Sequence, residues 1–395
     1  MLSNRPRGFE TKRKRTRLSA MEFADPDASA PAVSLSSTGA PQGVFFAAGI
    51  LACAFVLNGC SVGYLLHLGR GQMRIVCGSE CVEDVLIDSD VPERVKGKIR
   101  LVLEAKAFGE KEVGLAPSKN YTSYYAVKNP PVAYNLTASP TLDLEAYRWC
   151  FPIAGCLPYK GFFDRDRAVS EADKMSERGF DTYLRPVAAY STLGWFRDPI
   201  FSTMLAYGDA ALVEVILHEM VHRTIFVKHQ GAFNEGVATF VGEKAAEAFF
   251  RTRRAEEPGA IERLREKRET GRVFQETMFQ LEERLRALYG SEGPAAEKLR
   301  SRRQIFEETK ASLRERLGQL GSTRYEGILS EDWNNAFLVS YLTYHPDPDM
   351  WDALYERFDE DLKAMVVWLK GLEKEKDPFS AVRSLLKGSE TVKNH

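Results

Sequence analysis

Residues 214–226, EVILHEMVHRTIF, place His218, Glu219 and His222 within five positions of an otherwise almost wholly apolar segment. The segment reads as a buried helix over 209–228, and burying three ionisable side chains without partners is costly. Residues four apart share a helix face, so His218 and His222 can grip one metal ion through their imidazole nitrogens. Glu219 stands about 100° round from His218, beside the coordination position that stays open. A carboxylate there can take a proton from water and deliver it to a leaving amine.

A catalytic zinc needs a third protein ligand, and His229, Glu235 and Glu243 follow. The polar stretch KHQGA lets the chain reverse into a second helix from about Phe233 to Arg251. Glu235 falls in its opening turn, facing the histidines. His229 falls in the connecting loop, and Glu243 lies two turns further along. The expected set is therefore His218, His222 and Glu235 around one Zn2+ ion, with Glu219 as the catalytic base. Asn234 is a cap or an orienting neighbour.

The N-terminus carries a second signal. Residues 1–19 are rich in arginine and lysine, a Pro/Ser-rich stretch follows, and an apolar run of fourteen residues spans Val44–Leu57. This order reads as an export signal, and the run is short for a spanning helix, which needs about 20 residues. A start at Met21 would give it a more typical length. Val56-Leu57-Asn58-Gly59-Cys60 resembles a bacterial lipobox, which makes Cys60 the expected lipidation site; the alternative is an uncleaved membrane anchor. Either reading puts the rest of the chain outside the cytoplasm. Ser61 follows the cysteine where an aspartate would retain a lipoprotein in the inner membrane, so the expectation leans to the outer membrane. Cys77, Cys81, Cys150 and Cys156 can then pair in an oxidising compartment; sequence does not choose among the three pairings, and a four-cysteine metal site is the rival. The formal charge of −1 gives no reason to expect nucleic acid as a partner.

Along the rest of the chain, helical periodicity covers about 61–108, and tyrosine- and β-branched-rich segments punctuated by proline and glycine from 121 to 163 read as short strands of a modest sheet. DRDRAVSEADKMSERG is an amphipathic helix stopped at Gly179, and FDTYLRPVAAYS is one more strand. Residues 252–320 are Glu/Arg-rich with sparse leucines and break at Gly290 and Gly293-Pro294. They read as a hairpin of two solvated helices, an appendage with too few apolar residues for a core. The expected fold class is α+β, mostly helical, with a small mixed sheet. The expected divisions are a leader and signal over 1–60, a site-bearing region over 61–251, the hairpin insertion over 252–320 and a C-terminal helical part over 321–395.

H-E-x-x-H followed by NEGVA resembles the glutamate-zincin metallopeptidases, many of which are aminopeptidases, although the gap from His222 to Glu235 is shorter than in their best-known members. A closer resemblance spans most of the chain after the signal. WCFPIAGCLPYKGFFD, AAYSTLGWFRDPIFSTM, HEMVH, FNEGVATFVG and NNAFL…YLTYH resemble a family of bacterial lipoproteins described as predicted zinc aminopeptidases. The resemblance implies a zincin-like core and hydrolysis of peptides in the periplasm by a membrane-anchored protein. It also makes Tyr190, Ser191, Thr192 and Trp195 candidate contacts to a peptide added as a strand. Tyr341, Tyr344 and His345 become candidate donors to the transition state, and Asp198 or Glu214 a candidate partner for the substrate ammonium. Two other functions remain open at this point: a zinc endopeptidase, and a non-catalytic envelope lipoprotein that uses the hairpin to contact an unknown protein.

Overall fold

The computed structural model describes residues 59–151, 155–187, 197–253, 257–342 and 348–390. The first helices are α1 (Gly59–Gly78), α2 (Val82–Ile87) and α3 (Glu93–Phe108), the last continued by a π-helical turn. Then come short strands: β1 (Glu80–Cys81) between α1 and α2, β2 (Ser123–Tyr125), β3 (Ala133–Pro140), β4 (Trp149–Phe151), β5 (Gly155–Leu157) and β6 (Lys160–Phe162). Helix α4 (Arg165–Glu177) leads to β7 (Phe180–Val187) and β8 (Ile200–Phe201). Asp164 caps α4 by accepting the Arg167 N–H at 3.0 Å, and Gly179, at a φ of 84°, turns the chain into β7.

The remaining elements are helical: α5 (Asp209–Thr224), α6 (Gly231–Thr252), α7 (Ala260–Gly290), α8 (Ala295–Gln319), α9 (Glu326–Ser330), α10 (Asn335–Leu342), α11 (Pro348–Arg357), α12 (Leu362–Lys370) and α13 (Pro378–Glu390). The fold class is α+β and mostly helical. The strands do not form one sheet. Strand β2 pairs antiparallel with β1 and parallel with β8, while β3 pairs antiparallel with β6 and β7. Strands β4 and β5 form a separate ladder in which Cys150 faces Cys156. Those two cysteines are disulfide-bonded, whereas Cys77 and Cys81 are free and exposed.

Helices α5 and α6 lie at the centre of the largest core. Leu212, Ile216, Leu217 and Val221 of α5 are fully buried, as are Val237, Val241 and Ala245 of α6. Alternation of small and branched residues lets the two helices approach closely.

The 252–320 segment departs from the expectation of an appendage without a core. Phe274, Met278, Leu281 and Leu285 form one stripe on α7, and Phe306, Leu313 and Leu317 another on α8. These stripes pack with Trp333, Phe337 and Leu338 in a second core. One apolar stripe per helix is enough when two helices face each other. Ion pairs extend the contact: Lys267 to Glu214 of α5, Arg268 to Glu243 of α6, and Arg302 to Asp181 of β7. Among the described residues no helix is long and apolar enough to cross a membrane. The Val44–Leu57 run lies outside them.

Candidate metal centre

The site is built by α5 and α6 and the loop that joins them. At the end of α5, Thr224 Oγ1 donates to the Met220 carbonyl (2.8 Å) and accepts the Ala116 N–H (2.9 Å). Asn234 then fixes the loop. Its Oδ1 accepts the Val227 N–H and its Nδ2 donates to the Val227 carbonyl, both at 2.9 Å. The buried amide thus pins the turn from one helix to the next, the orienting role expected for it rather than a cap. His229 lies exposed in this loop at a φ of 65°. Helix α6 begins at Gly231, two residues before the expected start, which places Glu235 in its second turn.

His218, His222 and Glu235 converge. The two Nε2 atoms are 3.1 Å apart. Each lies 3.6 Å from an oxygen of Glu235, His218 from Oε2 and His222 from Oε1. Two ligands held 2.0–2.1 Å from a tetrahedral ion would be separated by about 3.3 Å, so the observed spacings suit one shared cation. A hydrogen bond between the imidazoles satisfies only one pair of atoms, whereas a cation at the common point satisfies all three groups. Within the described residues this is the group of histidine and acidic side chains whose ligand atoms gather in this way.

The electrostatics agree. Burial alone would push the Glu235 carboxyl up, but the imidazoles of His218 and His222 outweigh it and hold the group well below the usual carboxylate range. For His218, burial favours the neutral ring, and the carboxylates of Glu235, Glu219 and Glu214 reverse the shift and raise it. Glu219 is not among the converging groups. It lies half-buried beside them, its carboxyl raised by burial against the pull of His218 and His222. A desolvated carboxyl adjoining three groups that could hold a metal ion is suited to moving a proton.

Other expected residues fall elsewhere. Glu243 is paired with Arg268 at 3.2 Å. Glu214 is paired through Oε1 with Lys267, and among the described residues its buried Oε2 meets no partner. Asp198 is bonded to Asn120 at 3.0 Å. Tyr341 is not at the metal group: it packs edge-on to Phe274 in the second core, where burial pushes its hydroxyl far up. An aromatic on α10 serves the hairpin core because that face of α10 meets α7. Tyr190, Ser191, Thr192, Trp195, Tyr344 and His345 lie outside the described residues, and Cys60 stands at the start of α1.

Sequence reasoning missed Tyr121. The residue is buried, with a φ of 63°, and a bulky side chain in that region costs on the order of 1–3 kcal/mol. The carboxylates of Glu219 and Asp198 both act on its phenol. Gly242 was missed as well. It stands against His218, where any side chain would crowd the helix backbone. No short motif marks either one.

No curated protein and no solved structure shows significant similarity to the chain. A family profile does match, over residues 63–381, and it covers every helix and strand that builds the site. The chain therefore belongs to the family described as "Putative aminopeptidase".

Proposed function

We propose that the protein is a zinc-dependent aminopeptidase with a zincin-like centre, in which His218, His222 and Glu235 hold one zinc ion and Glu219 is the general base. The observation that carries this reading is the convergence of the three ligand groups at 3.1 and 3.6 Å, with a fourth, uncommitted carboxyl beside them. Zinc bound there supplies Lewis-acid polarisation of a carbonyl and acidifies water. Glu219 accepts the proton of the attacking water at its carboxylate and passes it to the amine as the peptide bond breaks. Its partial burial keeps that proton out of bulk solvent. Glu235 holds both imidazoles in register, and Asn234 holds the turn that brings Glu235 to them. A protein that only bound peptides would have no use for Glu219 in this place.

In the same reading the substrate is a peptide with a free N-terminus. The chain works in the bacterial envelope, anchored by lipid at Cys60 and facing the periplasm.

Metal analysis of the full-length chain, paired with hydrolysis of peptides bearing free or acetylated N-termini, tests the proposal. One equivalent of zinc and cleavage of the free peptides alone are expected. Glu219→Gln should keep the metal and lose about 10²–10⁴ in turnover. Full turnover in that variant with metal bound would exclude the mechanism, and cleavage of acetylated peptides would make the enzyme an endopeptidase. Labelled palmitate incorporated in wild type but not in Cys60→Ala is the expectation for the anchor.

A further inference from the structure

Helix α1 is docked on the body of the protein along one face. The Tyr64 hydroxyl donates to the Gly161 carbonyl at 2.9 Å, and its ring stacks on Phe151 with centroids 5.2 Å apart. His67 Nε2 accepts the Phe163 N–H at 3.2 Å. A β-carbon on Gly71 would run into the Phe163 ring, and Ile75 is buried in the largest core. Tyr64, His67, Gly71 and Ile75 follow one another by three or four residues, so they share one side of the helix.

The opposite side is apolar and exposed. Leu65, Leu66, Met73 and Val76 are between 40 and 69% exposed. At about 100° per residue these four fall within an arc of about 100°, along a stripe about 17 Å long. Gly69 lies in the middle of the arc, and a β-carbon there would meet nothing within 4 Å. Apolar side chains exposed singly need no explanation, but a stripe of them opposite a docked face does. Next round the helix from Leu66 come Arg70 and Arg74, both exposed, and α1 contains no acidic residue.

The place of α1 in the chain identifies what the stripe meets. The apolar run Val44–Leu57 stops one residue short of α1, and Cys60 is the second residue of the helix. Whether a lipid on Cys60 or the run itself holds the chain, the bilayer meets it at the start of this helix. A stable protein–protein interface takes about 20–30 residues a side, far more than this stripe presents. A lipid surface needs no matched partner. An amphipathic helix sinks its apolar face about 5–10 Å into the boundary between headgroups and acyl chains, and its basic side chains meet the phosphates.

We propose that α1 lies flat on the membrane, with Leu65, Leu66, Met73 and Val76 in the lipid and Arg70 and Arg74 against anionic headgroups. This deepens the envelope reading above and rests on it for the presence of the membrane. Because the opposite face of α1 is fixed to the body, the contact sets the posture in which the body stands on the surface. A flexible tether would leave that posture free.

The photoreactive residue p-benzoyl-phenylalanine, placed singly at Leu66, Met73 or Val76 of the full-length protein, tests the contact. The protein is irradiated in vesicles of phosphatidylethanolamine and phosphatidylglycerol, and the adducts are identified by mass. All three positions should capture phospholipid. Leu66→Asp combined with Met73→Asp, both at exposed sites, should leave the melting temperature unchanged and lower capture at Val76 by at least about tenfold. Adducts to a second copy of the chain, adducts to residues 44–57, or no adducts at all would each overturn the proposal. Palmitate on Cys60 without phospholipid adducts would uphold the anchor and sink the surface helix. Phospholipid adducts in a protein that takes up no palmitate would do the reverse.

Discussion

A β-carbon on Gly242 would stand 3.1 Å from the Cα and the backbone nitrogen of His218. The two helices that carry the candidate ligands thus approach almost backbone to backbone at that crossing, and Glu235 lies two turns earlier on the same helix as Gly242. The spacing of the ligands depends on this contact. Gly242→Ala should gain about 1 kcal/mol of helix propensity and lose about 1–3 kcal/mol to overpacking, as the helices part by a few tenths of an ångström. Zinc affinity, measured by competition with a chelating dye, should fall by about tenfold, as when a group that orients a ligand is lost. An unchanged affinity would show that the site tolerates a wider crossing.

The pH dependence of the metal-free chain follows from two opposed shifts. Glu235 is held below its usual value of 4.5, so its contribution is present above that pH and is lost as pH falls through the depressed value. His218 is raised above 6.5, so its contribution is complete below 6.5 and is lost as pH rises through the folded value. Glu219, raised by burial, also makes stability fall as pH rises from 4.5. Denaturant unfolding of metal-free protein should therefore show this site's contribution greatest near pH 4.5, declining above it as Glu219 ionises and further as pH rises past 6.5. Zinc reverses the alkaline limb, because binding needs neutral imidazoles. The stabilisation it adds should grow from pH 5.5 to 7.5; a pH-independent increment would be inconsistent with histidine ligation.

Lys267 of the hairpin gives Glu214 its ionic partner, and the carboxylate is buried. Removing the cation leaves that charge uncompensated next to the first turn of the histidine stripe. Lys267→Met should cost about 1–3 kcal/mol, less than the 3–5 of a fully buried pair because Lys267 keeps some exposure to solvent. Adding Glu214→Gln should recover most of the loss. Excision of residues 260–319 is expected to do far more damage, since it removes half of the second core. Circular dichroism and zinc binding of the excised protein check this point, and retention of both would restore the hairpin to the status of an appendage.

What the sequence reveals here depends on how local the interaction is. His218, Glu219 and His222 were legible because helical periodicity fixes their shared face within five residues. Glu235 was legible because a short polar loop leaves the next helix little choice but to fold back. Tyr121 was not, since its backbone is set by Asp198, and Asn120 meets that residue across 78 positions. The separate sheets were hidden for the same reason: β2 finds its parallel partner in β8, far along the chain. The hairpin core was hidden because sparse leucines signify burial only once two helices are known to face each other.

The third ligand gives the sharpest test, because three residues compete for it in sequence and one occupies the place in space. Glu235 faces both imidazoles at 3.6 Å, Glu243 is turned to Arg268, and His229 is exposed in the loop. Glu235→Gln exchanges an anionic ligand for a weak neutral one and leaves the size of the side chain unchanged. Its zinc affinity should fall by more than the 10–100-fold that loss of a merely orienting partner causes, and activity should return in part at high zinc. Glu243→Gln and His229→Ala should hold zinc as wild type does. Glu243→Gln should lose some stability because it leaves Arg268 without that partner, which separates a structural effect from a metal effect. If His229→Ala lost the metal and Glu235→Gln kept it, the connecting loop would have to close over the site and the ligand set would be wrong.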